Sequence, residues 1–185
     1  KLTGEPNCKC KYESYEVYEP QPVDTLRKLF TDHAVFTHLY IIAEVYNLPT
    51  ISQLTQRLLE NQDDTGEYLG KFIGAKKGER LSKLLRQHIL CEAGVVKDAL
   101  DKTDVDKEIE KLFENSDAVS QFIGKLNSKK LPYKEVKTHF DEHNNYVIDL
   151  ATMYIKEETD KVVNEYDCYY NHMLMFSDMI STLIV

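Results

Sequence analysis

The sequence predicts an all-α protein: a six-helix bundle built from three repeated antiparallel helix pairs, preceded by an extended N-terminal arm. Three histidines, His33, His88 and His143, recur at an equal spacing of fifty-five residues, and each lies in a similar local pattern. The stretch LLENQD at 58–63 returns as LFENSD at 112–117, and a Gly-Lys pair follows each copy. Self-similarity at a fixed period indicates repeated structural units, so we expect three copies of one helix pair.

Composition supports the same class. The chain has 185 residues, of which 42% are hydrophobic and 29% are charged, as is typical of one globular domain. It contains only seven glycines and five prolines, and long intervals lack both. Few breakers together with many Leu, Glu and Lys residues favour helices over short strands joined by turns.

The net charge is −8 at pH 7, which argues against nucleic acid as a partner because phosphate would repel an acidic surface. The most apolar run, at 173–185, is interrupted by Asp178 and is too short to span a bilayer. We therefore expect no membrane span, and a protein partner or self-association instead. The expected setting is soluble, in the cytoplasm or within a protein assembly such as a particle.

The first segment, 1–22, carries three of the five prolines. Because proline restricts both its own backbone and that of the residue before it, we expect an extended arm here, followed by the bundle at 23–185. Tyr12, Tyr15 and Tyr18 lie in this segment, and tyrosine is favoured at protein interfaces. The arm is therefore the predicted interaction element.

Apolar residues at three- and four-residue steps predict a first helix from about 23 to 47. Asn47 to Thr50 closes it, and Thr50 with Gln53 resembles a capping box for a second helix that reaches about residue 71. The segment 74–78 has glycine at both ends and is predicted to be a loop.

The same periodicity predicts a third helix at about 79–100 and a fourth that starts near Thr103. A break at 127–132 precedes the fifth helix. No Gly or Pro marks the boundary between the fifth and sixth helices, so a turn at 156–159 is placed by the repeat alone. The resulting units are 23–74, 77–127 and 133–183, and we expect them to close around a shared core.

Several motifs resemble a known family. Residues 26–37 read L-x-x-L-F-x-D-H-x-x-F-T, residues 57–66 read R-L-L-x-N-Q-x-D-x-G, and residues 84–89 read L-L-x-x-H-I. With N-x-D at 115–117 and H-x-L-x-x-x-D-M at 172–179, the pattern is similar to an uncharacterised family of small all-helical proteins known mainly from bacterial open reading frames. The resemblance implies a helical architecture and carries no established activity.

This chain departs from that family at four positions. The family has tryptophan where Phe30 and Phe36 stand, arginine in place of His38, and isoleucine in place of Thr65. Any role that the resemblance would give to an indole or a guanidinium at these positions does not transfer to this chain.

The repeated histidines allow two interpretations. Each lies on an apolar stripe and is expected to point inward, so the three imidazoles of His33, His88 and His143 could meet and bind a divalent metal such as Zn or Fe, with Asp63 or Asp117 completing the ligand set. Alternatively, each histidine is a core residue satisfied within its own helix pair, with Asn61 and Asn115 as partners and no cofactor.

The structural interpretation is the one we expect. The chain contains no His-Glu-x-x-His motif and no repeated Glu-x-x-His pair, which are the familiar signatures of metal sites on helices. We therefore predict that the three histidines lie apart, each bonded to polar groups on a neighbouring helix. A structural polar cluster is predicted from residues that share a helix face or recur in the repeat: Arg57, Asn61, Asp64 and Asn115.

No nucleophile motif, phosphate-binding glycine loop or Cys-x-x-Cys pair is present in the sequence. We therefore predict no catalytic residues and a non-enzymatic structural or protein-interaction module. The alternative is a helical bundle that binds a metal or a small ligand through the repeated histidines.

Overall fold

The computed structural model describes residues 21–184 and is all-helical over that range, with no strand in it. This confirms the predicted fold class. The six helices are α1 (Pro22–Val45), α2 (Ile51–Ile73), α3 (Ala75–Asp101), α4 (Val105–Leu126), α5 (Tyr133–Ile155) and α6 (Thr159–Ser181). The predicted arm, including Tyr12, Tyr15 and Tyr18, lies outside the described residues.

The six helices form a closed ring in chain order, and alternate helices of this ring lie toward its centre. Each helix contacts the next one along the chain, and α6 returns to pack against α1. Contacts of α5 with α1 and α3, and of α1 with α3, bring these three helices together at the centre. The inner helices are the ones that carry His33, His88 and His143. The fold therefore directs one repeat histidine from each inner helix toward a common interior.

The three inner helices end in the same way. Asn47, Lys102 and Glu157, each just beyond a helix, have positive φ angles of 49°, 55° and 58°. In each case the next amide donates to the carbonyl five residues back, for example Leu48 N to Ala43 O at 2.8 Å. This is the hydrogen-bond pattern of a left-handed helix ending. The turn that was predicted at 156–159 from the repeat alone is present.

The predicted capping box at the start of α2 is wrong, because the Thr50 side chain makes no capping hydrogen bond. A capping box forms instead at α1, where Gln21 accepts from the third residue of the helix and the Asp24 side chain accepts from the Gln21 amide at 3.0 Å. Pro22 occupies the first turn, where a missing amide hydrogen costs nothing.

A loop was predicted at 74–78, but only one residue separates α2 from α3 in the structure. Gly74, with φ of 97°, separates α2 from α3, and Ala75 already belongs to the next helix. The helices turn so sharply because glycines line their contact: a Cβ built on Gly78 would lie 2.4 Å from the Gly66 carbonyl oxygen and 2.6 Å from Gly70 Cα. Gly70, the glycine of the first repeated Gly-Lys pair, is a packing residue inside α2.

Apolar side chains fill most of the interior, and no helix among residues 21–184 is long and apolar enough to cross a bilayer. The interior also contains a charged or titratable set that is unusual for so small a core. Glu92 is 4% exposed and the three repeat histidines are 2–7% exposed. Burying such groups costs free energy unless they are paired, so their partners define the site.

Candidate functional site: a buried histidine–glutamate cluster

The three repeat histidines converge, so the prediction that they lie apart is wrong. The imidazole ring of His143 lies between the other two, with centroid separations of 5.3 Å to His33 and 5.5 Å to His88. The rings reach one another because α1, α3 and α5 meet at the centre of the ring of helices. Helix-bundle ligand sites are built in this way, from inward side chains of facing helices.

Glu92 completes this group, one helical turn after His88 on the same face of α3. Its Oε1 lies 2.7 Å from His143 Nε2 and 3.4 Å from His88 Nε2. One ligand atom from each of His33, Glu92 and His143 lies within 4.8 Å of the others. A single carboxylate oxygen is therefore shared by imidazoles from two helices, with the third imidazole beside it.

The surroundings strongly shift the pKa values of two members. Burial tends to raise the pKa of Glu92, but the charges of His88 and His143 and the hydrogen bond from the His143 ring outweigh it, so this pKa lies below its usual range. Burial, followed by the charge of His143, lowers the pKa of His33 to about 3. Near neutral pH, Glu92 is thus a carboxylate and the His33 ring is uncharged.

The tautomer of His88 follows from its contact with Asn115. Asn115 Nδ2 donates to the Leu84 carbonyl at 3.3 Å, which turns its amide oxygen toward His88 Nδ1 at 3.0 Å. An amide oxygen can only accept, so Nδ1 of His88 carries hydrogen. The other ring nitrogen, Nε2, has no hydrogen-bond partner and faces the Glu92 carboxylate.

His33 is held differently. Its Nδ1 lies 3.1 Å from Gln62 Nε2, and that amide nitrogen also lies 2.9 Å from Asn61 Oδ1 and 3.3 Å from the Leu58 carbonyl. The two oxygens identify this atom of Gln62 as the amide nitrogen, which cannot accept, so His33 Nδ1 is the acceptor in their contact and three acceptors share the two amide hydrogens. The partner on the return helix is thus Gln62 rather than the predicted Asn61.

One contact recurs in all three helix pairs. A side chain on the return helix donates to the carbonyl of the residue four positions before the repeat histidine. The three pairs are Asn61 Nδ2 to Leu29 O at 3.0 Å, Asn115 Nδ2 to Leu84 O at 3.3 Å, and His172 Nε2 to His139 O at 3.1 Å. Polar side chains therefore join the two helices of each pair, as expected. In addition, the repeat histidines of different pairs meet at Glu92, which was not expected.

A small cavity adjoins the cluster. Its volume is about 40 Å³, which is room for a few water molecules. His33, His88 and His143 contribute to its wall together with Gln62, and the remainder is largely apolar, including Phe140 and Phe176. An ion bound by these histidines would have space beside it for water or another small ligand.

The acidic ligands proposed from the sequence do not belong to this group. Asp63 forms an ion pair with Arg86 at 2.6 Å and its side chain is half-exposed. Asp117 accepts hydrogen bonds from Tyr133 and Gln121 at the surface. Both aspartates lie on outer helices, and their carboxylates are occupied by these partners, so this part of the predicted ligand set is wrong.

The predicted polar cluster divides into two parts. Arg57 lies 3.4 Å from Asp32 and 3.6 Å from Asp64, and its guanidinium covers the Phe36 ring at 5.1 Å from the centroid. Asn61 and Asn115 instead make hydrogen bonds next to the histidine cluster: Asn61 accepts from Gln62, and Asn115 accepts from His88. The first part is a partly exposed ion-pair network between α1 and α2, and the second belongs to the site.

Glu92 was missed in the sequence, although its spacing carried a signal. A histidine and a glutamate four residues apart lie on the same face of a helix, as His88 and Glu92 do. The acidic ligands predicted for the histidines, Asp63 and Asp117, both lie in the repeated motif, and Glu92 does not. A buried glutamate with no counterpart in the other two repeats was a departure from the repeat pattern.

Chemically, the cluster can hold one positive charge. An imidazole nitrogen that makes no hydrogen bond and a carboxylate oxygen face each other across 3.4 Å, and a second imidazole donates to the same oxygen. Either a proton or a metal cation can lie between His88 and Glu92. Comparison with protein families, with curated proteins and with solved structures finds no match to this chain.

Proposed function

We propose that this chain is a metal-binding helical bundle whose core holds one divalent transition-metal ion. His88, Glu92 and His143 are the ligands to which the arrangement points first, and His33 is the fourth. Three imidazoles and one carboxylate suit Zn²⁺, Fe²⁺ or Co²⁺, which favour nitrogen ligands with an oxygen among them. We assign no reaction to the site.

The observation that carries the proposal is the free Nε2 of His88. Asn115 holds a hydrogen on Nδ1 of this ring, so Nε2 is the nitrogen available to a cation, and it faces the buried carboxylate of Glu92 at 3.4 Å without a hydrogen bond. When the ring is neutral, Nε2 and the carboxylate oxygen are two acceptors, which repel each other unless a cation lies between them. A hydrogen bond from the far nitrogen to a fixed oxygen is also the usual support of a metal-ligating histidine.

The distances to Glu92 fit an ion, but His88 is not among the three residues whose ligand atoms all lie within 4.8 Å of one another, which are His33, Glu92 and His143, so the His88 ring would have to move to join them. In a tetrahedral Zn²⁺ site with bonds of about 2.1 Å, neighbouring ligand atoms lie about 3.4 Å apart. The separation between His88 Nε2 and Glu92 Oε1 is 3.4 Å, and that between His143 Nε2 and the same oxygen is 2.7 Å. For His143 Nε2 to bind the metal, the hydrogen that it donates to Glu92 would have to leave it, and the hydrogen of the neutral ring would then lie on Nδ1, which has no hydrogen-bond partner in the metal-free protein.

His33 requires one further change. Its Nδ1 accepts from Gln62, so hydrogen occupies the other ring nitrogen in the metal-free protein. For His33 to ligate through that nitrogen, the Gln62 amide must turn and present its oxygen. His33 is therefore expected to contribute less to affinity than His88 or His143.

The competing proposal is the structural module expected from the sequence, in which His88 is protonated and forms a buried ion pair with Glu92. Such a pair loses much of its Coulomb energy to desolvation, and apolar residues of similar volume would often stabilise a core as well. Convergence of three histidines on one carboxylate is difficult to explain by packing alone. Metal binding gives each of them a role.

The test is a metal titration of the purified protein after treatment with a chelator. We expect Zn²⁺ to bind tightly, and Co²⁺ to give the visible absorption of an ion with nitrogen ligands. Glu92→Gln keeps the shape of the side chain and an oxygen that can accept from His143. It should lose one bound equivalent relative to wild type while circular dichroism shows an unchanged helix content.

The matched controls are Asp63→Asn and Asp117→Asn, which make the same carboxylate-to-amide change on outer helices. Both should bind as many equivalents as wild type. If wild type binds no Zn²⁺, or if Glu92→Gln folds and retains every equivalent, the core is not a metal site and the ion-pair interpretation is preferred.

A further inference from the structure

A second histidine–glutamate group lies between α5 and α6. Glu142 Oε2 is 3.5 Å from His172 Nδ1 and 3.8 Å from His139 Nδ1, and the three ligand atoms lie within 4.8 Å of one another. The His172 side chain is 3% exposed, whereas that of Glu142 is 51% exposed. One side of the group is thus formed by the core and the other faces solvent.

The tautomer of His172 is determined by a backbone contact. Its Nε2 lies 3.1 Å from the carbonyl oxygen of His139, which can only accept, so Nε2 carries hydrogen. The buried Nδ1 therefore presents a lone pair to the Glu142 carboxylate. This repeats the arrangement at His88, where an imidazole acceptor also faces a carboxylate and its far nitrogen is bonded to an oxygen.

His139 supplies another unsatisfied nitrogen. Its Nδ1 is buried and has no hydrogen-bond partner, although it lies on the side of the ring that faces Glu142. The ring stacks on Phe176, with centroids 5.4 Å apart and planes inclined by 16°. The neighbouring aromatic ring holds the imidazole in place, so its free nitrogen is presented in a defined direction.

The other two helix pairs show that this group is not needed to build the fold. Where the third pair has His172 donating to His139, the first has Asn61 donating to Leu29 and the second has Asn115 donating to Leu84. The backbone contact is the same in all three. The third pair thus has histidine at both positions of this contact, where the other two pairs have leucine and asparagine. Both histidines lie next to Glu142.

We propose that His139, Glu142 and His172 form a second divalent metal site, distinct from the core site and open to solvent. Two imidazole Nδ1 atoms and one carboxylate are three protein ligands, which leaves a position for water. A set of two histidines and a glutamate with one open position is suited to Zn²⁺ and similar borderline cations. The ion would be exchangeable, because the carboxylate side of the site faces water.

The repeat itself suggests the test variants. His139→Leu and His172→Asn install the residues found in the equivalent contact of the other pairs, and asparagine can still donate to the backbone carbonyl. Chelator-treated wild type should bind two equivalents of Zn²⁺, and each variant one. His38→Gln removes a half-buried histidine outside both groups and serves as the matched control with two equivalents.

The Glu92→Gln variant measures the second site alone. With the core site removed, it should retain one equivalent of Zn²⁺, and adding His172→Asn should weaken that binding by about tenfold or more. If wild type and His139→Leu bind equal numbers of ions with equal affinity, the second site does not exist. Since the core site is measured separately in His139→Leu, failure of one proposal is distinguishable from failure of the other.

Discussion

The most informative residue is Asn115, because it determines what His88 can do. Its amide is bonded on one side to the Leu84 carbonyl and on the other to His88 Nδ1. This leaves the opposite ring nitrogen for a cation. Asn115 would not contact a bound metal, but it determines which nitrogen of His88 is available to bind one.

Replacing Asn115 with leucine tests this supporting role. The variant removes the acceptor of the His88 Nδ1 hydrogen and the donor to the Leu84 carbonyl. Each buried polar group left without a partner costs about 1–3 kcal/mol. We expect the free energy of unfolding of the metal-free protein to fall by that order in urea denaturation. Asn164→Leu makes the same change at an exposed position of α6 and should stay within about 0.5 kcal/mol of wild type. Equal stability of the two variants would contradict the assigned role.

At this scale the sequence predicted the histidines but not their arrangement. Periodicity placed His33, His88 and His143 on inward faces, and all three are buried. It could not show that three inner helices meet, which depends on how the pairs close. Glu92 lies outside the repeat pattern, so no comparison between repeats could have selected it.

Among the elements, the α2–α3 pair has the closest contact, and glycine is the reason. A Cβ on Gly78 would meet backbone atoms of Gly66 and Gly70 at 2.4 and 2.6 Å. Neither neighbour has a flexible end that could move aside. The single residue between these helices is possible only while their backbones can approach this closely.

Gly78→Ala should therefore destabilise the protein, although alanine is the better helix former by about 1 kcal/mol. Overpacking costs about 1–3 kcal/mol, and backbone on both sides leaves little room for relief. We expect a lower melting temperature by calorimetry. Gly94→Ala is the control, since its Cβ would meet only the end of the Glu108 side chain, and there the variant should be as stable as wild type or more so. A Gly78→Ala protein that melts with or above wild type would show that the helices separate easily.

Helix existence could be predicted from periodicity, but several boundaries could not. The positive φ at Lys102 and Glu157 places non-glycine residues where glycine is usual, so no breaker marked those ends in the sequence. Conversely, Gly70 lies inside α2, where it contacts α3 and ends no helix. Glycine is used here for close approach more than for turning, and a single sequence does not distinguish these uses.

At the scale of the whole molecule, α6 packs against α1 and so closes the ring of helices. His38 lies at this closure: it stacks on Tyr166 at 4.2 Å between centroids, and its Nε2 lies 2.7 Å from Tyr154 Oη. The residue thus joins α1 to α5 and α6. Its protonation is linked to the stability of the closed ring.

Burial lowers the pKa of His38 in the folded protein. The unfolded chain, with a pKa of about 6.5 at this residue, therefore takes up a proton at higher pH than the folded chain does. The stability contributed by the neutral ring is present above that pH and is lost as pH falls below it. We expect wild type to lose more unfolding free energy than His38→Gln between pH 7 and pH 5, measured in urea with chelator present. Parallel pH profiles for the two proteins would contradict this.

The core metal site is tested most directly by anomalous X-ray diffraction from crystals grown with Zn²⁺ and measured on both sides of the zinc absorption edge. The proposal predicts a strong anomalous peak among α1, α3 and α5, about 2.0–2.2 Å from His88 Nε2, His143 Nε2 and a Glu92 oxygen. A second peak at His139, Glu142 and His172 would test the second site and would not bear on the core site. Absence of any peak in the core, with His88 and Glu92 in direct contact at saturating Zn²⁺, would contradict the account.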